Sequence, residues 1–230
     1  MKECFLFTGK DPMKIIGYNT KKVMNFENMY SLYLFKNEDA FRREMVKKHN
    51  ITFPDGKKIS RYLKIKQQRG PSFTRKFLLS KKAKGKKHFF IGSLDLDIIS
   101  EKTKIPKEDM RYYNPPYLKS KMEFSIKEKR TIVGIMKHFS PDYVWVCIGN
   151  PKQEILANQL YELYPSIYLS VGAALDFLTE KKAEAPEILR VMGIEWLYRL
   201  ITDFKYVKRK AWGSFVDLKY LKYIKLEKKK

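Results

Sequence analysis

The stretch Val144-Trp-Val-Cys-Ile-Gly-Asn-Pro-Lys-Gln-Glu154 decides the reading of this chain. Val144 to Ile148 is a short apolar run rich in β-branched and aromatic residues, the pattern of a buried strand. Gly149 breaks it. Asn150 is a favoured N-cap residue, Pro151 suits the first helical position, and Gln153 stands where a capping box places Glu or Gln. Leu156, Leu160 and Leu163 follow at helical spacing. The pattern predicts a strand, a tight turn and a helix whose first N–H groups and positive dipole end face outward. Such a corner suits an anionic ligand at the carboxyl ends of parallel strands. Many α/β folds build the same corner for structural reasons alone, so this stretch by itself leaves both readings open.

Two other runs end in the same way. Lys87-His-Phe-Phe-Ile-Gly92 closes on a glycine, and Ile167 to Val171 closes on Gly172. Three strand-then-glycine units, each leading into a predicted helix, argue for an α/β fold with a Rossmann-like, mostly parallel sheet and helices on both faces. Toward the N-terminus, Phe5 to Phe7 and Ile15-Ile16 read as strands, and residues 28 to 48 read as helical through Leu34, Ala40, Phe41 and Met45. Ile51-Thr-Phe leads into Pro54-Asp55-Gly56, a strong turn signal in which Asp55 needs no role beyond the turn. A second turn, Arg69-Gly70-Pro71, precedes Phe73, Phe77 and Leu78 on a predicted helix. Residues 100 to 130, with Pro106 and Pro115-Pro116, read as loop-rich cover for one face of the sheet.

Composition narrows the class. Hydrophobic residues make up 44% of the 230 positions, enough for a substantial core. Lys and Arg total 48 against 25 acidic residues, a net charge of +23 that favours anionic partners: nucleic acid, anionic lipid or phosphorylated substrates. Lysine dominates over arginine, so a general lysine bias accounts for part of that charge. No RNP, KH, zinc-finger or helix-turn-helix signature accompanies it, so nucleic acid is not an expected partner. Cys4 and Cys147 stand far apart, which fits a reducing compartment. His49, His88 and His138 form no metal-binding pattern. Asp95-Leu96-Asp97 has the form of a cation-holding DxD, but Leu94, Leu96, Ile98 and Ile99 make a solvated or capping role an equal reading. No metal and no cofactor is assigned. No signal peptide or membrane-spanning run is legible.

The C-terminal part reads as an appendage. Helical patterning resumes after Pro186 through Ile188, Leu189, Met192, Leu197 and Ile201. Phe204, Val207, Ala211, Phe215, Leu218 and Leu221 then fall on one side of a helix. From Lys205 to Lys230 ten basic residues face two acidic ones, and Trp212, Tyr220 and Tyr223 add amphipathic rings. Such a stretch suits an anionic membrane surface, or an ordinary terminal helix with a solvated lysine face. The expected division is a core over residues 1–185 and an appendage over 186–230.

Taken together, Pro54-Asp55-Gly56, Arg69-Gly70-Pro71, Ile148-Gly-Asn-Pro-Lys-Gln-Glu154, Val171-Gly-Ala-Ala-Leu-Asp-Phe-Leu178, Ala185-Pro186 and Met192-Gly-Ile-Glu-Trp-Leu-Tyr-Arg-Leu200 resemble the WecG/TagA/CpsF family of bacterial glycosyltransferases, in the family's order. The Arg69-Gly-Pro-Ser-Phe73 variant and Asn114-Pro-Pro-Tyr117 are most similar to capsule-type members. The resemblance implies a Rossmann-like core with a membrane-associating C-terminal appendage at the cytoplasmic face of a bacterial membrane. It implies metal-independent, inverting transfer of a hexose or N-acetylhexosamine from a UDP-sugar to a polyprenyl-diphosphate-linked saccharide. Self-association is a further option.

The resemblance places the catalytic base on Asp55 and substrate binding on Asn28, Arg69, Asn150, Gln153, Arg199 and Arg209. Local chemistry is compatible. A carboxylate on a rigid turn can take the acceptor's proton. Without a metal, guanidinium groups and a helix N-terminus must balance the charge growing on a nucleoside-diphosphate leaving group. Arg199 also reads as a scaffold ion pair, because it lies in an otherwise apolar helix.

Three departures stand out. Phe26-Glu27 occupies the place of a family threonine, Tyr206 replaces a tail arginine, and Glu184 puts a negative charge where the family places a positive one. They leave the fold expectation intact and keep a second function open: a non-catalytic family member acting as partner of another glycosyltransferase.

Overall fold

The structure, a computed structural model, describes residues 4–18, 20–116, 124–192, 198 and 218–227. In chain order its elements are β1 (Phe5–Phe7), α1 (Pro12–Ile15), β2 (Lys22–Glu27), α2 (Met29–Asn37), α3 (Asp39–Met45), β3 (Asn50–Pro54), α4 (Lys57–Leu63), α5 (Gly70–Leu78) and β4 (His88–Ile91). They continue with α6 (Leu96–Thr103), β5 (Met110–Tyr113), α7 (Ile126–Phe139), β6 (Tyr143–Val146), α8 (Lys152–Leu163), β7 (Ile167–Ser170), α9 (Ala174–Leu178), α10 (Glu187–Met192) and β8 (Ile224–Leu226).

The alternation of strand side chains fixes the layers, because successive residues point to opposite faces. Met24, Phe26, Phe90, Trp145 and Leu169 turn to one side and pack with Phe73, Phe77 and Leu78 of α5, Ile99 of α6, and Leu175 and Leu178 of α9. Val23, Phe89, Ile91, Val144, Val146 and Tyr168 turn to the other and meet Ile132 and Met136 of α7 and Leu156 and Leu160 of α8. Both faces are covered, so β4, β6 and β7 are apolar at nearly every position, as parallel sheets favour, while β2 carries Asn25 and Glu27. The sheet has six strands in the order β3-β2-β7-β6-β4-β5, and every neighbouring pair is parallel. Each fully buried ring, such as Phe77 or Phe90, contributes about 1.5–3 kcal/mol relative to exposure.

The expected architecture is therefore present: a parallel α/β sheet with helices on both faces. The carboxyl ends of β2, β3, β6 and β7 lie along one edge. A separate parallel pair joins β1 to β8. Beside it, Phe5 and Phe7 pack with Leu32 and Phe35 of α2, Phe41 of α3, and Tyr220, Leu221 and Ile224.

Several local expectations need correction. Ile15 ends a short helix rather than a strand, because Asp11 caps it by accepting from Met13 N–H at 2.9 Å and Pro12 begins it. The helical stretch after Asn28 is two helices, broken at Glu38. The supposedly loop-rich 100–130 segment holds β5 and the start of α7, which Ser125 caps by accepting from Glu128 N–H at 3.1 Å. Leu218 and Leu221 fall in a 3-10 turn, Leu218–Tyr223, that feeds β8, rather than continuing an amphipathic helix. Burial of Tyr220, Leu221 and Ile224 against β1 and α2 favours that path. Phe204, Val207, Ala211 and Phe215 lie outside the described residues.

Candidate functional site

The site forms where β2 and β3 end side by side. Their last residues, Glu27 and Pro54, are paired in register. Glu27 C=O accepts from Asp55 N–H at 2.9 Å, so the turn after β3 is clamped to the end of β2. Asp55 Oδ1 accepts from Gly70 N–H at 3.1 Å, and Gln67 Nε2 bonds the Asp55 carbonyl. Half-buried Asp55 thus has its backbone held by Glu27 and Gln67 and its carboxylate held at the first residue of α5. An added Cβ at Gly70 would stand 3.4 Å from Phe26 Cβ, an ordinary packing contact, so Gly70 lies directly against β2.

Arg69 and Asn28 flank this carboxylate. Arg69 occupies the N-cap position of α5, its side chain 16% exposed, with Nη1 at 3.9 Å from Glu184 Oε2 and 3.5 Å from Ser72 Oγ. Glu184 also binds Arg75 Nη2 at 2.8 Å. Asn28 is exposed and caps α2, accepting from Tyr30 N–H at 2.9 Å in a reciprocal arrangement with Ser31. Gly56 lies close enough to Asn28 that an added Cβ would stand 3.4 Å from its Cα. Next to Arg69, a groove of about 380 Å³ is lined by Lys66, Gln67, Arg69, Ser72, Lys76 and Asp11, among others, with cations outnumbering acids.

The corner after β6 departs from its sequence reading. The helix begins at Lys152, and no side chain caps it. Asn150 is not an N-cap: its Nδ2 donates instead to Glu27 Oε2 and to Ser31 Oγ, each at 3.2 Å. Its Oδ1, the atom that would cap the helix, accepts no hydrogen bond from a described residue. Gln153 does not close a capping box either. It is 4% exposed, its Nε2 donates to Glu154 Oε1 at 2.6 Å, and its Oε1 lies against Gly172. Gly172 has φ +57, and a Cβ there would meet Gln153 Oε1 at 3.2 Å.

The structure thus gathers Asn28, Asp55, Arg69 and Asn150 around the ends of β2 and β3, with Gln153 joined through Glu154. Arg199 and Arg209 lie outside the described residues, as does Tyr206. Two groups that the sequence reading assigned no role stand at the centre: Glu27 and Glu154, both 0% exposed. Burial, then the Glu154 and Asp55 charges, hold the Glu27 carboxyl well above the usual carboxylate range, with the Ser31 hydroxyl pulling the other way. Glu154 ends the motif that opened the sequence reading, and Glu27 precedes Asn28; those positions were the available signals.

Asp95 has a plain role: it caps α6, its Oδ1 accepting from Asp97 and Ile98 N–H groups. Asp97 pairs with Lys107 at 2.5 Å. Among the described residues, no three His, Cys, Asp or Glu side chains gather in a metal-binding group, and no helix is long and apolar enough to cross a membrane.

A parallel α/β sheet with polar groups gathered at its carboxyl edge places them where such folds bind ligands. The Glycosyl transferase WecG/TagA/CpsF family model matches residues 13–228, and the chain belongs to that family. Over 84 residues it is 37% identical to the N-acetylglucosaminyldiphosphoundecaprenol N-acetyl-beta-D-mannosaminyltransferase of Staphylococcus aureus strains NCTC 8325 / PS 47, COL and MSSA476. The aligned stretch is 36% of this chain, and the chain spans about a third (33%) of the length of these curated relatives.

Proposed function

We propose that this protein transfers a hexose or N-acetylhexosamine, with inversion, from a UDP-sugar to a saccharide carried on a polyprenyl diphosphate, in the synthesis of a cell-surface polysaccharide. The observation that carries the reading is the clamp on Asp55. Glu27 C=O and Gln67 hold the Asp55 backbone, and Gly70 N–H holds its carboxylate, beside an arginine at a helix start. In the proposed step the acceptor hydroxyl oxygen bonds to the anomeric carbon, the bond from that carbon to the diphosphate breaks, and the hydroxyl proton passes to Asp55. UDP departs with the electron pair. Arg69, the helix starts and the tail residues Arg199 and Arg209 balance its charge.

The names of the relatives support a lipid-diphosphate acceptor, since those enzymes are named for transfer to N-acetylglucosaminyldiphosphoundecaprenol. The basic groove beside Arg69 supports an anionic substrate. A core over 1–185 and a basic appendage over 186–230 at the cytoplasmic membrane face complete the reading.

The test is transfer from a panel of UDP-sugars to lipid-diphosphate-linked monosaccharides, with and without chelator, with Asp55→Asn alongside. Product that depends on Asp55 supports the proposal. One observation favours a second reading: Glu184 sets a carboxylate against Arg69, where a diphosphate would need a free cation. If no donor gives product until a partner transferase is added, and recovery ignores Asp55, the chain is a non-catalytic partner.

A further inference from the structure

From Gly56 to Leu94 the chain carries thirteen Lys and Arg and no Asp or Glu. With 25 acids in 230 residues, a segment of that length would average about four, so a general lysine bias does not account for it. The segment holds α4, α5 and the turn into β4. Three of its cations meet acids from elsewhere: Arg69 and Arg75 reach Glu184, and Lys86 reaches Asp142. Lys58, Arg61, Lys64, Lys66 and Lys76 are exposed and form no ion pair among the described residues. Helix electrostatics explains only part of this. Arg61 and Lys76 stand in the last turns of α4 and α5, where a cation complements the dipole, but Lys57 and Lys58 open α4 at its positive end with no acid in that turn. Such a block repels itself, and its charge is balanced from outside the molecule.

Apolar groups are set among these charges. Tyr62 on α4 and Leu79 after α5 are half exposed. Tyr18 is more exposed still and follows Gly17, whose added Cβ would stand 3.3 Å from Lys82 Nζ. Lys66 and Lys76 line the one groove beside Arg69, with Pro12, Met13 and Phe73 in its wall. Lys82 Nζ donates to Met13 C=O at 3.2 Å, so the groove, the end of α5 and the residues before β2 make a continuous face. At its other margin a Cβ on Gly9 would stand 3.2 Å from Ile65 Cγ2 and 4.0 Å from Leu226 Cδ1, so β8 borders the same face.

We propose that this face, formed by α4, residues 64–69 and the outer side of α5, docks on an anionic lipid surface, so that the core meets the membrane as well as the C-terminal region. Cations around exposed tyrosine and leucine side chains suit a headgroup layer, where the apolar groups enter the interface and the charges meet lipid phosphates. The groove favours lipid over nucleic acid. It runs to Arg69 and to Gln67, which bonds the Asp55 carbonyl, so a substrate carried on a lipid enters from the surface on which the face rests. That choice of partner rests on the function proposed above; the charge and exposure of the face do not.

The experiment measures co-flotation of the full chain with vesicles of phosphatidylcholine, alone or with about a third phosphatidylglycerol. Two triple variants remove equal charge from exposed side chains. One is Lys58→Gln, Arg61→Gln and Lys64→Gln; the other is Lys127→Gln, Arg130→Gln and Lys137→Gln on α7, which covers the sheet face opposite α5. Both should melt within about 2 °C of wild type. Wild type is expected to bind the anionic vesicles, less so at high salt. The first variant should bind at least about tenfold more weakly, since each cation near such a surface contributes about fivefold, and the α7 variant should stay within about twofold. No binding by wild type, or an equal loss in both variants, overturns the docking face. Loss of random-RNA binding in the first variant with vesicle binding intact also overturns it and gives the face to nucleic acid. In the transfer assay the first variant should raise the KM for acceptor held in vesicles and not for a short-chain, water-soluble acceptor. An equal rise for both would place these cations in substrate binding and overturn docking. If wild type binds vesicles yet transfers no sugar, the proposed function fails while the face stands.

Discussion

Asp55 Oδ1 accepts the backbone N–H of Gly70 at 3.1 Å, which joins the turn after β3 to the first residue of α5. This bond separates the two jobs of the carboxylate. An amide at 55 can accept the same N–H, but it cannot take up a proton. Asp55→Asn is therefore expected to melt within about 4 °C of wild type, a change under ~1 kcal/mol. Its transfer rate should fall by about 10²–10⁴-fold. Turnover near the wild-type rate would remove Asp55 as the base.

Glu184 lies between Arg69 and Arg75, at 3.9 and 2.8 Å. Its carboxylate competes with a diphosphate for Arg69. Glu184→Gln should lower the KM for the nucleotide sugar several-fold at similar kcat, with a stability change of no more than about 1 kcal/mol, since Arg75 is half exposed. A rise in KM would show that Glu184 holds Arg69 in place instead.

Gly172 tests the corner from its far side. Its φ of +57 costs an L-residue about 1–2 kcal/mol, and an added methyl would press on Gln153 Oε1. Gly172→Ala should melt roughly 2–8 °C lower. Transfer at a temperature where the variant is fully folded should fall as well. Full activity there would mean that Gln153 tolerates displacement.

His88 carries a pH dependence. Buried on β4, it accepts from Trp145 Nε1 at 3.1 Å on Nδ1, so its proton belongs on Nε2, which faces Ala83 C=O at 3.0 Å. Burial pushes its pKa below the ordinary value, partly countered by the Ala83 bond. The folded state therefore binds fewer protons than the unfolded one just below pH ~6.5, and stability falls as pH drops through that value toward the folded pKa. His88→Phe strands the Trp145 N–H at a cost of about 1–3 kcal/mol and should flatten this slope. Urea midpoints of both proteins between pH 5 and 8 give the comparison. The opposite contribution of Glu27, whose raised pKa favours the folded state as pH falls, is common to both and cancels.

The parts of the fold legible in the sequence were those where one signal dominated. Continuous apolar runs closing on Gly92, Gly149 and Gly172 mark strands buried on both faces, and β4, β6 and β7 lie there. β2 escaped notice because Lys22-Val-Met-Asn-Phe-Glu27 carries polar residues in a central strand. Asn25 is fully buried, and its amide nitrogen donates to Asn50, which with Asn158 and His49 extends a polar seam between β2, β3 and α8. Nothing in the local pattern announces partners that lie more than a hundred positions away. The same distance hid the fate of Asn150. Capping statistics describe an amide beside its own helix, and here the Asn150 amide nitrogen is bound by Glu27 while the helix starts at Lys152. Asn28, Asp55 and Arg69 were reachable because they sit in turns next to one another in the resemblance, whereas Glu27 becomes visible only when β2 is set against α8.

The pairing of β1 with β8 changes how the basic C-terminal region should be probed. Phe5 to Phe7 runs alongside Ile224 to Leu226, and Tyr220 and Leu221 are built into the same cluster. The C-terminal region therefore includes a described strand that belongs to the fold, β8. Trimming from residue 205 onward would tear out that strand, so weaker vesicle binding after truncation would confuse unfolding with lost charge. Replacing Lys208 and Lys210 by glutamine in the intact chain keeps β8 in place, leaves the proposed substrate residue Arg209 alone, and tests the positive charge itself.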